Sequence, residues 1–147
     1  MTSRILAVLA LTMLAAAGCS NTPTIPSSAA PYSQVDLRLG TGTAATAGTV
    51  VTVNYTGWLY DPSQTDGKGL QFDTSVGKTA LTFTLGSNPL QVIQGFDRGV
   101  TGMKVGGARR IVVPPSMGYG GSRNHSIPPY ATLVFDVDLV DVTTAGS

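Results

Sequence analysis

Ile127-Pro128-Pro129-Tyr130-Ala131-Thr132-Leu133-Val134-Phe135-Asp136-Val137 decides the reading of this chain. A stiff Pro-Pro turn runs straight into a dense strand pattern, expected over Thr132 to Val142. Working back, Ala108 to Val113 reads as a second strand. Leu81-Thr82-Phe83-Thr84-Leu85 alternates cleanly and reads as a third. Thr49 to Leu59 is a longer strand with Val51, Val53 and Tyr55 on one face. Gln34 to Leu39 alternates polar and apolar, as a half-buried strand does. Asp61 to Gly69, with its Asp-Pro, Asp-Gly and Gly-Lys-Gly signals, reads as a loop.

One helix is expected. Asn88 can cap it, Pro89 suits its first position, and Leu90, Ile93, Asp97 and Val100 recur at helical spacing before Gly102 ends it. Gly95 and Gly99 should weaken it, by about 1 kcal/mol each relative to Ala. The layout is therefore α+β: a mostly antiparallel sheet with one short helix. Pro114 to Pro129 carries no regular pattern. Irregular segments of this length in a compact domain are often functional, and this one is pinned by Pro-Pro at both ends.

The chain has 147 residues, enough for one domain and a leader. Charged residues are 12 %, below the roughly 25 % usual in globular domains. All eight acids are Asp. The 42 % apolar content favours a packed core over disorder. The formal charge of +1 and the absence of a basic patch argue against nucleic acid as a partner. Arg109-Arg110, the one adjacent basic pair, reads as two solvated side chains. Asp136, Asp138 and Asp141 read as a solvated sheet face, with Asp141 pointing opposite to the other two.

Residues 1–18 read as an export signal: Arg4, then an apolar run from Ile5 to Leu14, then Ala15-Ala16-Ala17-Gly18. That run is too short for a bilayer core, which needs about 20 residues. Cys19 is the only cysteine, so it has no partner for an intramolecular disulfide. Ordinary cleavage near Ala17 would leave it a free thiol. Alternatively, Ala16-Ala17-Gly18-Cys19 resembles a bacterial lipobox, although Ala16 stands where Leu is usual, and Cys19 would become a lipidated first residue. The second reading is the expectation here: an exported, cell-envelope protein anchored to a bacterial membrane through Cys19. Residues 19–32, rich in Ser, Thr and Pro, form the flexible tether, and 33–147 the folded domain.

The chemical inventory is narrow. One histidine, His125, and no usable cysteine cannot make a typical transition-metal shell. His125 with Ser122 or Ser126 is a poor hydrolase set; contact with substrate or solvent is the better reading. No metal and no cofactor is expected.

Val53-Asn54-Tyr55-Thr56-Gly57, Phe72-Asp73-Thr74-Ser75, Val92-Ile93-Gln94-Gly95-Phe96, Gly102 to Gly107, Gly118-Tyr119-Gly120 and Ile127 to Asp138 follow one another in order. Together they resemble the FKBP-type peptidyl-prolyl cis–trans isomerases over Thr49 to Val142. The resemblance implies a curled antiparallel sheet wrapped around one short α-helix, with Pro89 to Ile93 as a lead-in to it. It implies catalytic roles for Tyr55, Phe72, Asp73 and Tyr119, and a substrate wall of Leu81, Val92, Ile93, Phe96, Ile127 and Phe135. The Ile93 amide would donate to a substrate carbonyl. Substrates would be proline-containing polypeptides, and tacrolimus or rapamycin the competing ligands, on a monomer. The alternative is a non-catalytic module that uses the same groove to hold a protein client. The chain departs from the family in four places. Phe96 stands where Trp is common, and Leu81 replaces an aromatic wall residue. The loop before Phe72 is longer, and that between Tyr119 and Ile127 about one residue shorter.

Overall fold

The computed structural model describes residues 30–146. The leader, Cys19 and most of the tether lie outside the described residues. Six strands form one antiparallel sheet: β1 (Ser33–Arg38), β2 (Thr49–Tyr60), β3 (Lys68–Thr74), β4 (Leu81–Thr84), β5 (Ala108–Val113) and β6 (Leu133–Thr144). One α-helix, α1 (Gln94–Val100), packs against it, and a 3₁₀ turn covers Pro115–Met117. The order is β1-β5-β6-β2-β3, with β4 also on β2. The long β2 pairs with β6 along one side. On the other side its first half takes β4 (Val50↔Thr84) and its second half β3 (Thr56↔Thr74).

The core sits between α1 and the concave face. Val51, Val53, Leu85, Val100, Ile111, Val113, Leu133, Val137 and Leu139 are almost fully buried there. Val51 and Val53 share the inner face with the half-buried Tyr55, as alternation predicts. Gly95 and Gly99 are buried on the side of α1 that meets β5. A Cβ on Gly95 would run into the Val113 side chain, and one on Gly99 into that of Ile111. What the sequence presents as a weakness of the helix is the condition for its close approach to the sheet.

The helix is shorter than its capping signals predict. It starts after Ile93, which is extended (φ −61°, ψ 148°), and no side chain caps it. Ser87 Oγ instead donates to Pro89 O, and Thr84 N–H donates to Gln91 Oε1, holding residues 87–91 as an irregular lead-in. Gly102, at φ +86°, does end it. The expected loop of Asp61 to Gly69 stops early: hydrogen bonds of Asp61 N–H to Gly67 O and Gly67 N–H to Gln64 O close a compact turn, and β3 begins at Lys68.

β1 is exposed on both faces rather than half-buried, because it is the last strand of the sheet and nothing among the described residues packs over it. The basic pair is not solvated. Arg109 is buried: its Nε donates to Asp36 Oδ1 (2.7 Å) and its Nη1 to Gly99 O and Thr101 O at the end of α1. Arg110 donates twice to Asp136, through Nε (2.7 Å) and Nη2 (3.0 Å). Asp136 also meets Lys68 Nζ at 2.6 Å, and Lys68 lies 4.2 Å from the Trp58 ring centroid. Asp138 is paired with Arg38. Asp141 does not point away from these two. A bulge between Leu139 and Asp141 sets Asp141 opposite Thr52, on the outer face that Asp136 and Asp138 share with Thr56 and Asn54.

Candidate active site

Four rings form the floor of a groove between α1 and the sheet. Phe96 comes from α1, Tyr55 from β2, Phe72 from β3 and Phe135 from β6. Phe96 and Phe135 meet edge to face with centroids 5.2 Å apart. Tyr55 stands edge-on to Phe96 (5.7 Å) and Phe72 edge-on to Phe135 (5.7 Å). Edge-to-face pairs put the positive rim of one ring on the negative face of the next, an arrangement aromatic pairs favour. Gly57 makes room for it, since a Cβ there would press 2.6 Å from Phe72 Cζ and 3.0 Å from Phe135 Cε1. Phe83 backs Phe96 from β4 at 5.9 Å.

A local irregularity brings Phe72 and Asp73 to the groove together. In a regular strand neighbouring side chains face opposite ways. Here Gly57 pairs with Asp73 and Trp58 with Gln71, so Phe72 is the extra residue of a β-bulge. Bulges re-aim side chains in this way and recur beside active sites. The register is pinned next door, where Tyr55 N–H donates to Ser75 Oγ and Ser75 N–H to Tyr55 O, both at 2.9 Å. Asp73 then reaches back across the strands. The Tyr55 hydroxyl donates to its Oδ2 at 2.6 Å, and Thr74 N–H to its Oδ1 at 2.8 Å. Burial, followed by the bond to the Asp73 carboxylate, raises the Tyr55 pKa well above the usual tyrosine value. The Tyr55 hydroxyl therefore stays a donor at physiological pH, directed at Asp73.

These residues line a hollow of about 160 Å³ together with Leu81, Gln91, Val92, Ile93 and Tyr119. A roomier, polar extension of about 460 Å³ adjoins it. The two share Phe72, Asp73 and Tyr119, and the extension adds Asn124, His125, Ser126 and Ile127. Paired backbone bonds between Asn124 and Ile127 close a tight turn there, with His125 at φ +48°. All ten residues expected to act in the groove therefore line one of two adjoining hollows. Ile127, itself buried, belongs to the extension rather than to the ring-lined part. Gln91 was not foreseen. It directly precedes Val92-Ile93, and only the hydrogen bond to Thr84 reveals its side-chain position. Trp58 lies on the outer face under Lys68, away from the groove. Among the described residues no group of His, Cys, Asp or Glu could hold a metal, and no helix is long and apolar enough to cross a membrane.

Residues 41–140 match the family model of the FKBP-type peptidyl-prolyl cis-trans isomerases. That span holds every groove residue. The chain belongs to this family. An FK506-binding protein of Neisseria meningitidis serogroup B is 45 % identical over 109 residues, covering 73 % of this chain and 92 % of the relative. The peptidyl-prolyl cis-trans isomerase FKBP15-3 of Arabidopsis thaliana is 46 % identical over 101 residues, covering 69 % of this chain and 65 % of its own length. The crystal structure of FkpA from Escherichia coli superposes with a TM-score of 0.63 at 38 % identity, over 78 % of this chain. The match spans about half of the FkpA chain (49 %). In this FKBP-type isomerase the curled antiparallel sheet and short helix are as the sequence implies, with Phe96 as the groove floor.

Proposed function

We propose that the ring-lined groove binds an X-Pro segment of a polypeptide and speeds rotation about its peptide bond. The observation that carries this is the set of four interlocked rings beside the Tyr55–Asp73 pair. Rotation of a peptide bond meets a barrier of about 18–20 kcal/mol from amide resonance. Uncatalysed X-Pro exchange takes roughly tens to hundreds of seconds, slow enough to limit folding. At the twisted transition state resonance is lost and the carbonyl oxygen becomes less negative. An apolar wall therefore disfavours the planar amide more than the twisted one, and tighter binding of the twisted form is catalysis. Four decades of acceleration need about 5.5 kcal/mol.

In this reading no bond is made or broken except hydrogen bonds. Phe96 and Phe135 form the floor under the proline ring, and Leu81, Val92, Ile93 and Ile127 the apolar wall. Phe72 closes the side. Asp73 and Tyr119 orient the bound segment rather than attack it, and Tyr55 holds Asp73 in place. Ile93 N–H and the Tyr119 hydroxyl have no partner among the described residues, which leaves both free to donate to a substrate. Tacrolimus and rapamycin are competing ligands of the same groove. The protein works as a monomer on exported polypeptides, held at a membrane by lipid on Cys19. Residues 20–32 serve as the spacer.

The test is a proline-peptide exchange assay on a soluble form beginning at Ser20, with and without tacrolimus. Acceleration that tacrolimus abolishes supports the groove. Tyr119→Phe should weaken the inhibitor by about 0.5–1.5 kcal/mol, one hydrogen bond. A folded protein that binds proline peptides without accelerating exchange would instead be a binding module. For the anchor, Cys19→Ser should release the protein from membranes, and mass spectrometry finding an unmodified thiol would rule the lipid out.

A further inference from the structure

Gln91 lines the groove but has no part in the reading above. Its Oε1 accepts a 2.9 Å hydrogen bond from Thr84 N–H at the end of β4. A backbone N–H can only donate, so the atom facing it must be the amide oxygen. This settles which way round the amide sits, which an isolated Gln side chain leaves open. The amino group, Nε2, is turned away from Thr84 and has no partner among the described residues.

An X-Pro segment is rich in acceptors. Proline contributes a carbonyl and no N–H, and residues on either side bring further carbonyls. The groove supplies few donors to meet them, because its walls are mainly rings and aliphatic side chains and its carboxylate, Asp73, only accepts. A backbone carbonyl that enters this hollow without a donor loses its water and gains nothing, at a cost comparable to a lost hydrogen bond. A braced amide amino group at the wall answers that need.

We propose that Gln91, held by Thr84, donates its side-chain amide N–H to a substrate backbone carbonyl flanking the rotating X-Pro bond. This rests on the groove reading above and extends it to the stretch of polypeptide beyond the X-Pro pair. A bond to a carbonyl that takes no part in the rotation is equally strong in the planar and twisted states. It therefore tightens substrate binding without speeding the step. Gln91 is a residue for holding the chain, whereas Asp73 and Tyr119 act on the rotating amide.

Gln91→Glu keeps an oxygen for Thr84 N–H and removes the donor. With an X-Pro tetrapeptide it should raise KM about three- to tenfold, the worth of one hydrogen bond. Its kcat should stay within about twofold of wild type, and its Tm should not move. Gln91→Met, uncharged, removes both groups and should give a similar rise in KM together with a lower Tm. Wild type should bind less tightly a peptide whose flanking carbonyl is an ester carbonyl, a weaker acceptor, and Gln91→Glu should not distinguish the two peptides. A KM equal to wild type in both variants would overturn the proposal, leaving Gln91 as a brace for β4 alone. So would a fall in kcat at constant KM, or a wild type indifferent to the ester at both flanking carbonyls. Wild type that does not accelerate exchange at all would overturn the groove reading itself, and this inference with it.

Discussion

The Tyr55 hydroxyl lies 2.6 Å from Asp73 Oδ2, a bond between neighbouring strands that the extra residue Phe72 makes possible. Asp73 is exposed and has no basic partner among the described residues; its hydrogen-bond partners are Tyr55 and its own neighbour Thr74. The carboxylate is thus held by one phenol and one amide, and the phenol is itself part of the aromatic floor.

That bond gives a stability signal at alkaline pH. The Tyr55 pKa is raised by burial and then by Asp73, above an ordinary value of about 10. A group whose folded value is raised stabilises the fold fully below its unfolded value, and that contribution is lost as pH rises toward the folded value. Urea titrations should therefore show stability declining above about pH 10. Tyr55→Phe should start lower by about 0.5–1.5 kcal/mol, the net value of one hydrogen bond at an exposed site, and should decline less steeply.

Asp73→Asn and Phe96→Ala should fail differently. The first is nearly isosteric and breaks no ion pair, so turnover should fall while Tm changes little. The second empties the middle of the ring cluster, where Phe96 touches Tyr55, Phe83 and Phe135. It should cost about 3–5 kcal/mol and lower activity with it. Parallel thermal melts and exchange assays separate the two; equal Tm losses would contradict the exposed setting of Asp73.

Gly99→Ala should destabilise, although Ala favours helix by about 1 kcal/mol. The added methyl meets the Ile111 side chain, and overpacking of this kind costs about 1–3 kcal/mol. The double variant with Ile111→Val should recover part of the loss in chemical denaturation. A stabilised single variant would mean that α1 rides higher over β5 than described.

Asp136 gives an acid-side counterpart. Burial works against its ionisation, but hydrogen bonds from Arg110 and Lys68 outweigh it and hold the carboxyl below the usual range. The stability it contributes is present above its unfolded value of about 3.9 and is lost as pH falls through the folded value. Asp136→Asn should cost about 1.5–3 kcal/mol at pH 7 and remove that part of the acid dependence, measured by denaturation between pH 7 and 3.

Much of this was legible along the chain because strands buried on one face announce themselves by alternation. Val51-Val53-Tyr55 and Leu81-Phe83-Leu85 did so, and the ordered motifs carried the groove residues with them. Part of the rest was hidden by bulges. Alternation assumes an unbroken ladder, and bulges break it. At Phe72 a bulge turns two successive residues toward the groove, and before Asp141 another returns that side chain to the face of Asp138. Neither leaves a local signal. The helix start failed for a different reason: Asn88-Pro89 is a good local cap, but the side chain of Gln91 ties the segment to β4 instead. Arg109 looked solvated because its partners, Asp36 and the end of α1, become neighbours only through folding.

The outermost strand has a consequence for a protein whose proposed work is to handle extended chains. Among the described residues β1 leaves one side of its backbone unpaired and presents Val35 and Leu37, 60 % and 48 % exposed, a combination that invites a foreign strand to add on. Its ladder slips at Leu37, between Asp36 and Arg38, and those two flanking charges are tied down to Arg109 and Asp138. A kinked rim with a fixed charge on either side of the kink is a poor template for growth of a cross-chain sheet. Straightening it, by removing Leu37 or neutralising both flanking charges, would strip the exposed edge of that protection.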